Sequence, residues 1–271
     1  MPRTGPRARP GRIAGADGRS PGSRPLLALV LDTDGVLLDS ARLHAAAWKT
    51  ALDACLESMA GEEQQEPFDA EAEYRRFVDG RPRYDGAAAF LAARGLGLPA
   101  GTPRDPPGHA TIWAVAALKE RAFLDLLRAR GVAAFGDVLP ALDALGAAGV
   151  PCAAVSASRH ARALIRAAGL AGLLTLIVDG EDAARLRLAG KPDPALFLRA
   201  AALLGSLPQE TVLAEDALAG VEAARRGGFG LVVGVDRTPS GRAAAALRER
   251  GADLVVPDLT TLVRSVWGER G

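Results

Sequence analysis

Asp32 and Asp34 stand two residues apart at the end of an apolar run, residues 26–31, and Gly35 follows at once. A strand buried on both faces reads as a continuous apolar run, and open α/β sheets bind ligands beyond the carboxyl ends of such strands. Two acids leaving one strand can face a single pocket and do different work there. Gly35 lets the backbone turn without a Cβ penalty. Taken by itself, the stretch fits a solvated Asp/Gly turn equally well. A calcium loop fits less well, because an EF-hand has its Gly at the sixth loop position and a Glu at the twelfth, and Gly35 comes too early.

Three more segments end in the same way. The apolar run 150–155 stops at Ser156, the run 211–214 stops at Glu215 and Asp216, and the loop Gly190-Lys191-Pro192-Asp193-Pro194 offers a lysine at a helix entrance. Clustered carboxylates repel unless a cation joins them, and an all-oxygen set suits Mg²⁺. A serine, a lysine and the backbone N–H groups of helix starts suit a phosphoryl group. If these ends meet at one edge of a sheet, they describe Mg²⁺-dependent phosphoryl transfer with one Asp as nucleophile.

The elements that must position these groups follow from the periodicity. Residues 1–25 hold six arginines and a single acid, Asp17, and predict a disordered N-terminal tail. Ser40 can cap a helix running to about Ser58, with His44 and Trp48 four residues apart on one face. Residues 59–70 read as a loop, 71–79 and 85–94 as helices, 95–110 as a long loop with four glycines and four prolines, and 111–130 as a strong helix. Beyond 131 the pattern alternates: helix 138–148, strand 150–155, helix 159–168, strand 173–178, helix 194–205, strand 211–214, helix 217–226, strand 229–235, helix 240–250, strand 253–256 and a final helix. Alternating strands and helices predict an α/β, Rossmann-like, doubly wound parallel sheet. The sheet belongs to residues 26–42 and 128–271, and the helical span 43–127 reads as an inserted all-helical cap domain.

The chain of 271 residues can bury a substantial core. A net charge of +1 implies no general attraction to nucleic acid or to an anionic membrane. No apolar run approaches the roughly 18 residues of a membrane span. Cys55 and Cys152 are the only cysteines and lie in apolar or helical surroundings, which argues against a disulfide framework and for a reducing cytoplasm. The arginine-rich leader lacks the apolar face of a transit peptide.

The segments Asp-Thr-Asp-Gly-Val-Leu-Leu-Asp-Ser, Val-Ser-Ala-Ser-Arg, Gly-Lys-Pro-Asp-Pro and Ala-Glu-Asp-Ala-Leu-Ala-Gly-Val-Glu-Ala-Ala resemble, in order, the four motifs of the haloacid dehalogenase superfamily. His44, Trp48-Lys49, the Gly80-Arg81-Pro82-Arg83 loop and Lys119 make the β-phosphoglucomutase-like branch the closer likeness, over about residues 26–265. The resemblance implies a Rossmann-like core with a small helical cap and Mg²⁺ as cofactor. It implies that Asp32 is the nucleophile that becomes a phosphoaspartate and Asp34 the general acid/base. Asp32, Asp216 and the backbone carbonyl of Asp34 would hold Mg²⁺ with Glu215 close by, while Ser156 and Lys191 would hold the transferring phosphoryl group. Ala157, Ser158 and His160 continue the Ser156 loop toward the substrate. In the cap, Gly80 and Arg83 resemble the grip on a distal phosphate, Lys119 lies on the sugar side with Trp48, and His44 is similar to the residue that helps hold Asp34 when the cap closes. His160 stands where mutases of this branch usually have Asn, and Thr33 is unusual at its position.

On these readings the protein is a monomeric cytoplasmic enzyme acting on a small sugar phosphate, with no nucleic-acid or membrane partner. The reaction implied is β-phosphoglucomutase chemistry, with a sugar-phosphate phosphatase as the alternative and a non-catalytic sugar-phosphate sensor, which would not need Asp34, behind both. A signalling receiver also phosphorylates an Asp beside Mg²⁺, but keeps its acidic pair on the first strand and its acceptor later, the reverse of the order here. Without the resemblance, His44, Arg81, Arg83 and Lys119 would read as surface residues and Trp48 as core packing.

Overall fold

The structure, a computed structural model, describes residues 26–59, 65–238 and 241–268. The tail expected over 1–25 lies outside the described residues, as does the 60–64 part of the loop expected at 59–70.

The chain divides into two compact units, one running up to Leu38 and resuming at Ala134, the other Asp39–Ala133. The junction follows from hydrogen bonding. Leu38 forms an antiparallel bridge with Ala134 on the first unit's side. One residue further on, Asp39 N–H donates to the Ala133 carbonyl (2.9 Å) within the second. Residues 39–42 and 128–133, expected in the sheet unit, thus fall in the helical one.

The first unit is built on six parallel strands: β1 (Ala28–Asp32), β2 (Cys152–Val155), β3 (Leu176–Val178), β4 (Thr211–Glu215), β5 (Leu231–Val235) and β6 (Leu254–Val256), in the order β3-β2-β1-β4-β5-β6. This is the doubly wound order, and the chain reverses its direction of travel across the sheet between β1 and β4. Every residue of β1, β2 and β4 is buried, as expected of strands covered on both faces. Val30, Leu213 and Val232 pack on one face against Leu196, Phe197, Ala200 and Ala201 of α7 (Ala195–Leu203), Val221 and Ala224 of α8 (Leu218–Arg226) and Leu247 of α9 (Ala244–Glu249). Strand alternation sends Leu29, Leu31 and Val212 to the other face. In this unit α4 (Val138–Ala147) packs on α10 (Leu259–Trp267). The register places Asp32 beside Val155, and Leu31 beside both Ala154 and Ala214, so β1, β2 and β4 end together.

Local chemistry shortens several expected elements. Strand β2 starts at Cys152 rather than 150, after Pro151, whose missing N–H cannot join a ladder. Strand β3 starts at Leu176 because residues 171–173 form a 3₁₀ turn. Helix α9 begins at Ala244, where Asp236 accepts the N–H of the preceding Ala243. Helix α5 (Ala161–Ala167) is likewise shorter than expected. An additional helix, α6 (Gly180–Leu186), follows β3, held by a capping box in which Asp179 accepts the Glu181 and Asp182 N–H groups.

The helical unit contains α1 (Ala41–Met59), α2 (Arg83–Ala93) and α3 (Ile112–Arg130). The helix expected at 71–79 is a π-helical turn, Tyr74–Val78, in which Asp79 N–H reaches back five residues to the Tyr74 carbonyl (3.0 Å). Its core joins Trp48, Leu52, Cys55, Phe68, Tyr74, Val78, Phe90 and Val115. No helix among the described residues is long and apolar enough to cross a membrane.

Candidate active site

Asp32 is the last residue of β1, buried, with Lys191 Nζ donating to its Oδ1. Its Oδ2 accepts the Asp34 N–H (3.0 Å), which fixes the carboxylate against the turn that leaves the strand. That turn is tight: Leu37 and Leu38 N–H both donate to the Thr33 carbonyl (3.0 and 2.9 Å), and Gly35 N–H donates to the Leu38 carbonyl (2.9 Å). Thr33 points the other way, its hydroxyl donating to the Val155 carbonyl (3.0 Å), so it ties the end of β1 to the end of β2. Asp34, half-buried, accepts the Ser156 hydroxyl at Oδ2 (2.8 Å). The two acids therefore have different settings, one clamped by an ammonium and the other by a hydroxyl.

Lys191 Nζ also donates to Glu215 Oε1 (2.5 Å), and the other Glu215 oxygen accepts the Ala217 N–H (2.6 Å). Glu215 is fully buried, and the space for its carboxylate exists only because position 220 is glycine. A Cβ there would lie 1.7 Å from Glu215 Oε1. Burial by itself would lower the Lys191 ammonium, but Asp32 and Glu215 more than offset it and hold it above the usual lysine value. Burial pushes the Asp32 carboxyl up, Glu215 and Asp34 add to that by like charge, and Lys191 pulls it back.

Asp32, Glu215 and Asp216 each bring a carboxylate oxygen within 4.8 Å of the others. With Asp34 alongside, the acids outnumber the Lys191 ammonium among the described residues, in a largely buried place. An all-oxygen donor set with that charge fits a hard divalent cation. Gly35 shapes the same spot. Its φ of +85° is one that side chains rarely adopt, and an added Cβ would stand 1.9 Å from Asp216 Oδ2. Gly35→Ala is therefore expected to turn the Asp216 carboxylate aside and weaken Mg²⁺ binding about 10–100-fold by calorimetry. An unchanged affinity would remove Asp216 from the cation site.

The loop after β2 is held by its own side chains. Ser158 N–H donates to Ser156 Oγ (3.0 Å), His160 N–H donates to Ser158 Oγ (3.2 Å), and Gly180 N–H donates to the Ser158 carbonyl (3.1 Å). Ala157 packs so closely on α6 that a Cβ at position 180 would come within 2.4 Å of its carbonyl oxygen.

Five expected residues belong to the helical unit, and three of them, His44, Trp48 and Lys119, lie together. Lys119 Nζ lies 2.8 Å from His44 Nδ1, 4.8 Å from the Phe123 ring centroid and 5.7 Å from that of Trp48, while the His44 ring stacks on Phe123 at 4.2 Å. Gly80, with φ +68°, turns the chain toward α2. Arg83, at the start of that helix, makes a long 3.5 Å pair with Glu120, and its buried Nε has no partner.

Arg237, just beyond the end of β5, was not among the expected site residues. Its Nε donates to the Gly35 carbonyl (3.1 Å) and its Nη2 to the Val36 carbonyl (2.7 Å). Asp137 receives Nη1 and Nη2 on its two oxygens (2.8 and 3.1 Å), and Oδ2 also accepts the Leu259 N–H (2.7 Å). Burial would push the Asp137 carboxyl up, yet the bonds from Arg237 and Leu259 hold it below the usual carboxylate range. The signal was present, since β5 ends at the same edge as β4 and the strand-end rule that marks Glu215 applies equally to Arg237.

A parallel sheet carrying a carboxylate cluster, a buried lysine and a serine at the edge where its strand order reverses defines a class of phosphoryl-transfer proteins. A family model described as haloacid dehalogenase-like hydrolase matches residues 26–228, and the chain belongs to that family. It is 42% identical over 238 residues to a β-phosphoglucomutase of Mycobacterium bovis, covering 87% of this chain and 91% of that one. A family hydrolase of Deinococcus radiodurans, solved with bound phosphate and sodium, is 30% identical with a TM-score of 0.60 over 89% of this chain and 95% of that one. A hydrolase of Pseudomonas syringae, 24% identical, shares the fold with a TM-score of 0.69 over 88% of this chain and 96% of that one. The protein is an enzyme of phosphoryl transfer, a phosphotransferase or a phosphatase, in a family that generally uses Mg²⁺.

Proposed function

We propose that the protein is a β-phosphoglucomutase, interconverting β-glucose 1-phosphate and glucose 6-phosphate through a bound bisphosphate. The observation that carries the reading is the 42% identity to the Mycobacterium bovis β-phosphoglucomutase over nearly the whole of both chains. The partnerless Arg83 Nε agrees with it, because a mutase must hold a second phosphate at the far end of its substrate and a plain phosphatase need not.

In this reading Asp32 attacks phosphorus and forms the aspartyl phosphate while the bond to the leaving sugar oxygen breaks. Asp34 gives that oxygen a proton and later takes one from the incoming hydroxyl. Ser156 orients Asp34 through the 2.8 Å hydrogen bond. Lys191 offsets charge on the transferring oxygens, as its contact with Asp32 suits it to do. Asp32, Asp216 and Glu215, with the carbonyl of Asp34, would hold Mg²⁺, which supplies charge neutralisation on the phosphoryl oxygens when bound. Arg83 and Gly80 serve the distal phosphate, and Lys119, His44 and Trp48 the sugar side. Ala157, Ser158 and His160 complete the phosphoryl-binding loop.

Phosphorus NMR on β-glucose 1-phosphate, with Mg²⁺ and a catalytic amount of the bisphosphate, tests the reading. Growth of the glucose 6-phosphate resonance is expected; release of inorganic phosphate with no isomer would overturn it and leave the sugar-phosphate phosphatase. That second reading is favoured by His160 in the position where Asn is usual, and by the Deinococcus hydrolase with its bound phosphate.

A further inference from the structure

Arg237 makes four hydrogen bonds to three groups, the carbonyls of Gly35 and Val36 and the carboxylate of Asp137. Its guanidinium also lies 3.9 Å from the Phe135 ring centroid. Gly35 and Val36 are the first residues after Asp34, and Phe135 and Asp137 follow the point where the chain re-enters the sheet unit at Ala134. One side chain thus joins the outgoing turn, the returning segment and the end of β5. Through Asp137 it also reaches the start of α10, since the oxygen that receives Nη2 receives the Leu259 N–H as well.

The turn it grips has little freedom and much to position. The Gly35 backbone abuts the Asp216 carboxylate closely enough to exclude a methyl group. Asp34 lies between Asp32, which accepts its N–H, and Gly35, whose carbonyl Arg237 holds. A shift of the Gly35–Val36 peptide would therefore move both the Asp34 side chain and the wall beside Asp216. Arg237 itself is 202 residues from Gly35 in sequence, and its hydrogen bonds go to the backbone of the turn and to Asp137.

We infer that Arg237 is a positioning residue for phosphoryl transfer, holding the turn after Asp34 so that the acid/base and the Asp216 side of the cation site keep their places. The inference rests on the proposed phosphoryl-transfer reading of this site. A guanidinium is suited to the task because its planar fork meets two carbonyls and a bidentate carboxylate at once, which the single point charge of a lysine does not.

The test compares wild type with Arg237→Met and Arg237→Lys, and with Arg225→Ala as a stability control. Arg225 makes its own contacts to the Gly251 carbonyl and to Asp253 (2.7 Å), away from the turn. For each protein, Mg²⁺ affinity is measured by calorimetry, kcat and KM on a sugar phosphate, and the midpoint of thermal unfolding. Displacing a reacting group by about 1 Å can lower the rate about 100-fold, so R237M is expected to lose about that much in kcat with KM little changed. Its Mg²⁺ affinity should fall, and R237K should recover part of both. R225A should lower the midpoint while leaving affinity and kcat near wild type. If R237M and R237K lose stability but keep wild-type kcat and Mg²⁺ affinity, Arg237 is a structural clamp only and the inference fails. If R237M does not fold, R237K decides by the same criteria. Wild type that turns over no sugar phosphate would overturn the proposed reading instead; the Mg²⁺ affinities would still decide whether Arg237 shapes the cation site.

Discussion

Lys191→Met is expected to lower kcat about 10²–10³-fold and to lower the unfolding midpoint of the protein steeply. Lys191 and Glu215 are fully buried at their charged ends, with Asp32 nearly so. Methionine keeps roughly the length of the side chain but removes the ammonium, leaving two buried carboxylates facing each other without a cation. Breaking a buried pair by deleting one partner typically costs about 3–5 kcal/mol, because the surviving charge is left uncompensated. At about 2–4 °C per kcal/mol for a domain of this size, the midpoint should fall by about 6–20 °C. In the proposed role of Lys191 at the transferring group, loss of this one charge-stabilising donor accounts for the drop of about 10²–10³-fold in kcat. Added Mg²⁺ should raise the midpoint of the variant more than that of wild type, since it would supply the missing positive charge. Scanning calorimetry with and without Mg²⁺ reads the midpoints and a steady-state assay the rate, and a wild-type midpoint in the variant would show that Lys191 is not what holds the two acids together.

The second large effect is expected at Asp34. Asp34→Asn keeps the size of the side chain and an oxygen to accept the Ser156 hydroxyl, whose bond is now 2.8 Å. It takes away the group that can exchange a proton. General acid/base catalysis contributes typically about 10²–10⁴-fold, and kcat should drop by that much. Mg²⁺ binding should survive, because the Asp34 side chain is not one of the three carboxylates gathered at the cation site. Rapid-mixing kinetics on the sugar phosphate together with calorimetry of Mg²⁺ would test both halves. Turnover at the wild-type rate would end the assignment of Asp34 as the proton carrier, whatever the metal result.

Much of this site could be read from sequence because its residues sit at strand ends, where the pattern of apolar runs is plainest. Asp32, Ser156 and Glu215 each follow directly from a buried run, and the structure brings them to one edge of the sheet. Lys191 could be placed at a helix entrance, but its simultaneous hold on Asp32 and Glu215 could not, since that depends on how three distant segments meet. Helix α6 escaped notice for a local reason. Its only buried residue is Gly180, so it carries no apolar stripe, and its start depends on the Asp179 capping box. The π-helical turn was hidden in an ordinary helical composition. Arg237 shows the limit most clearly, because its partners are carbonyl groups, and a backbone carbonyl leaves no trace in residue identity.

The paired crossing at Leu38–Ala134 and Asp39–Ala133 gives the helical unit two ends that are next-door neighbours. A segment inserted at adjacent points behaves as a cassette: its removal leaves a gap that a short linker can close, and a different segment can be spliced into the same gap. The strand-end acids, Lys191 and the Arg237 clamp all lie outside that segment. The strand-end groups and the helical segment are thereby written on separable stretches of the chain, so exchange of residues 39–133 between relatives would replace that segment without rebuilding the strand-end acids or Lys191.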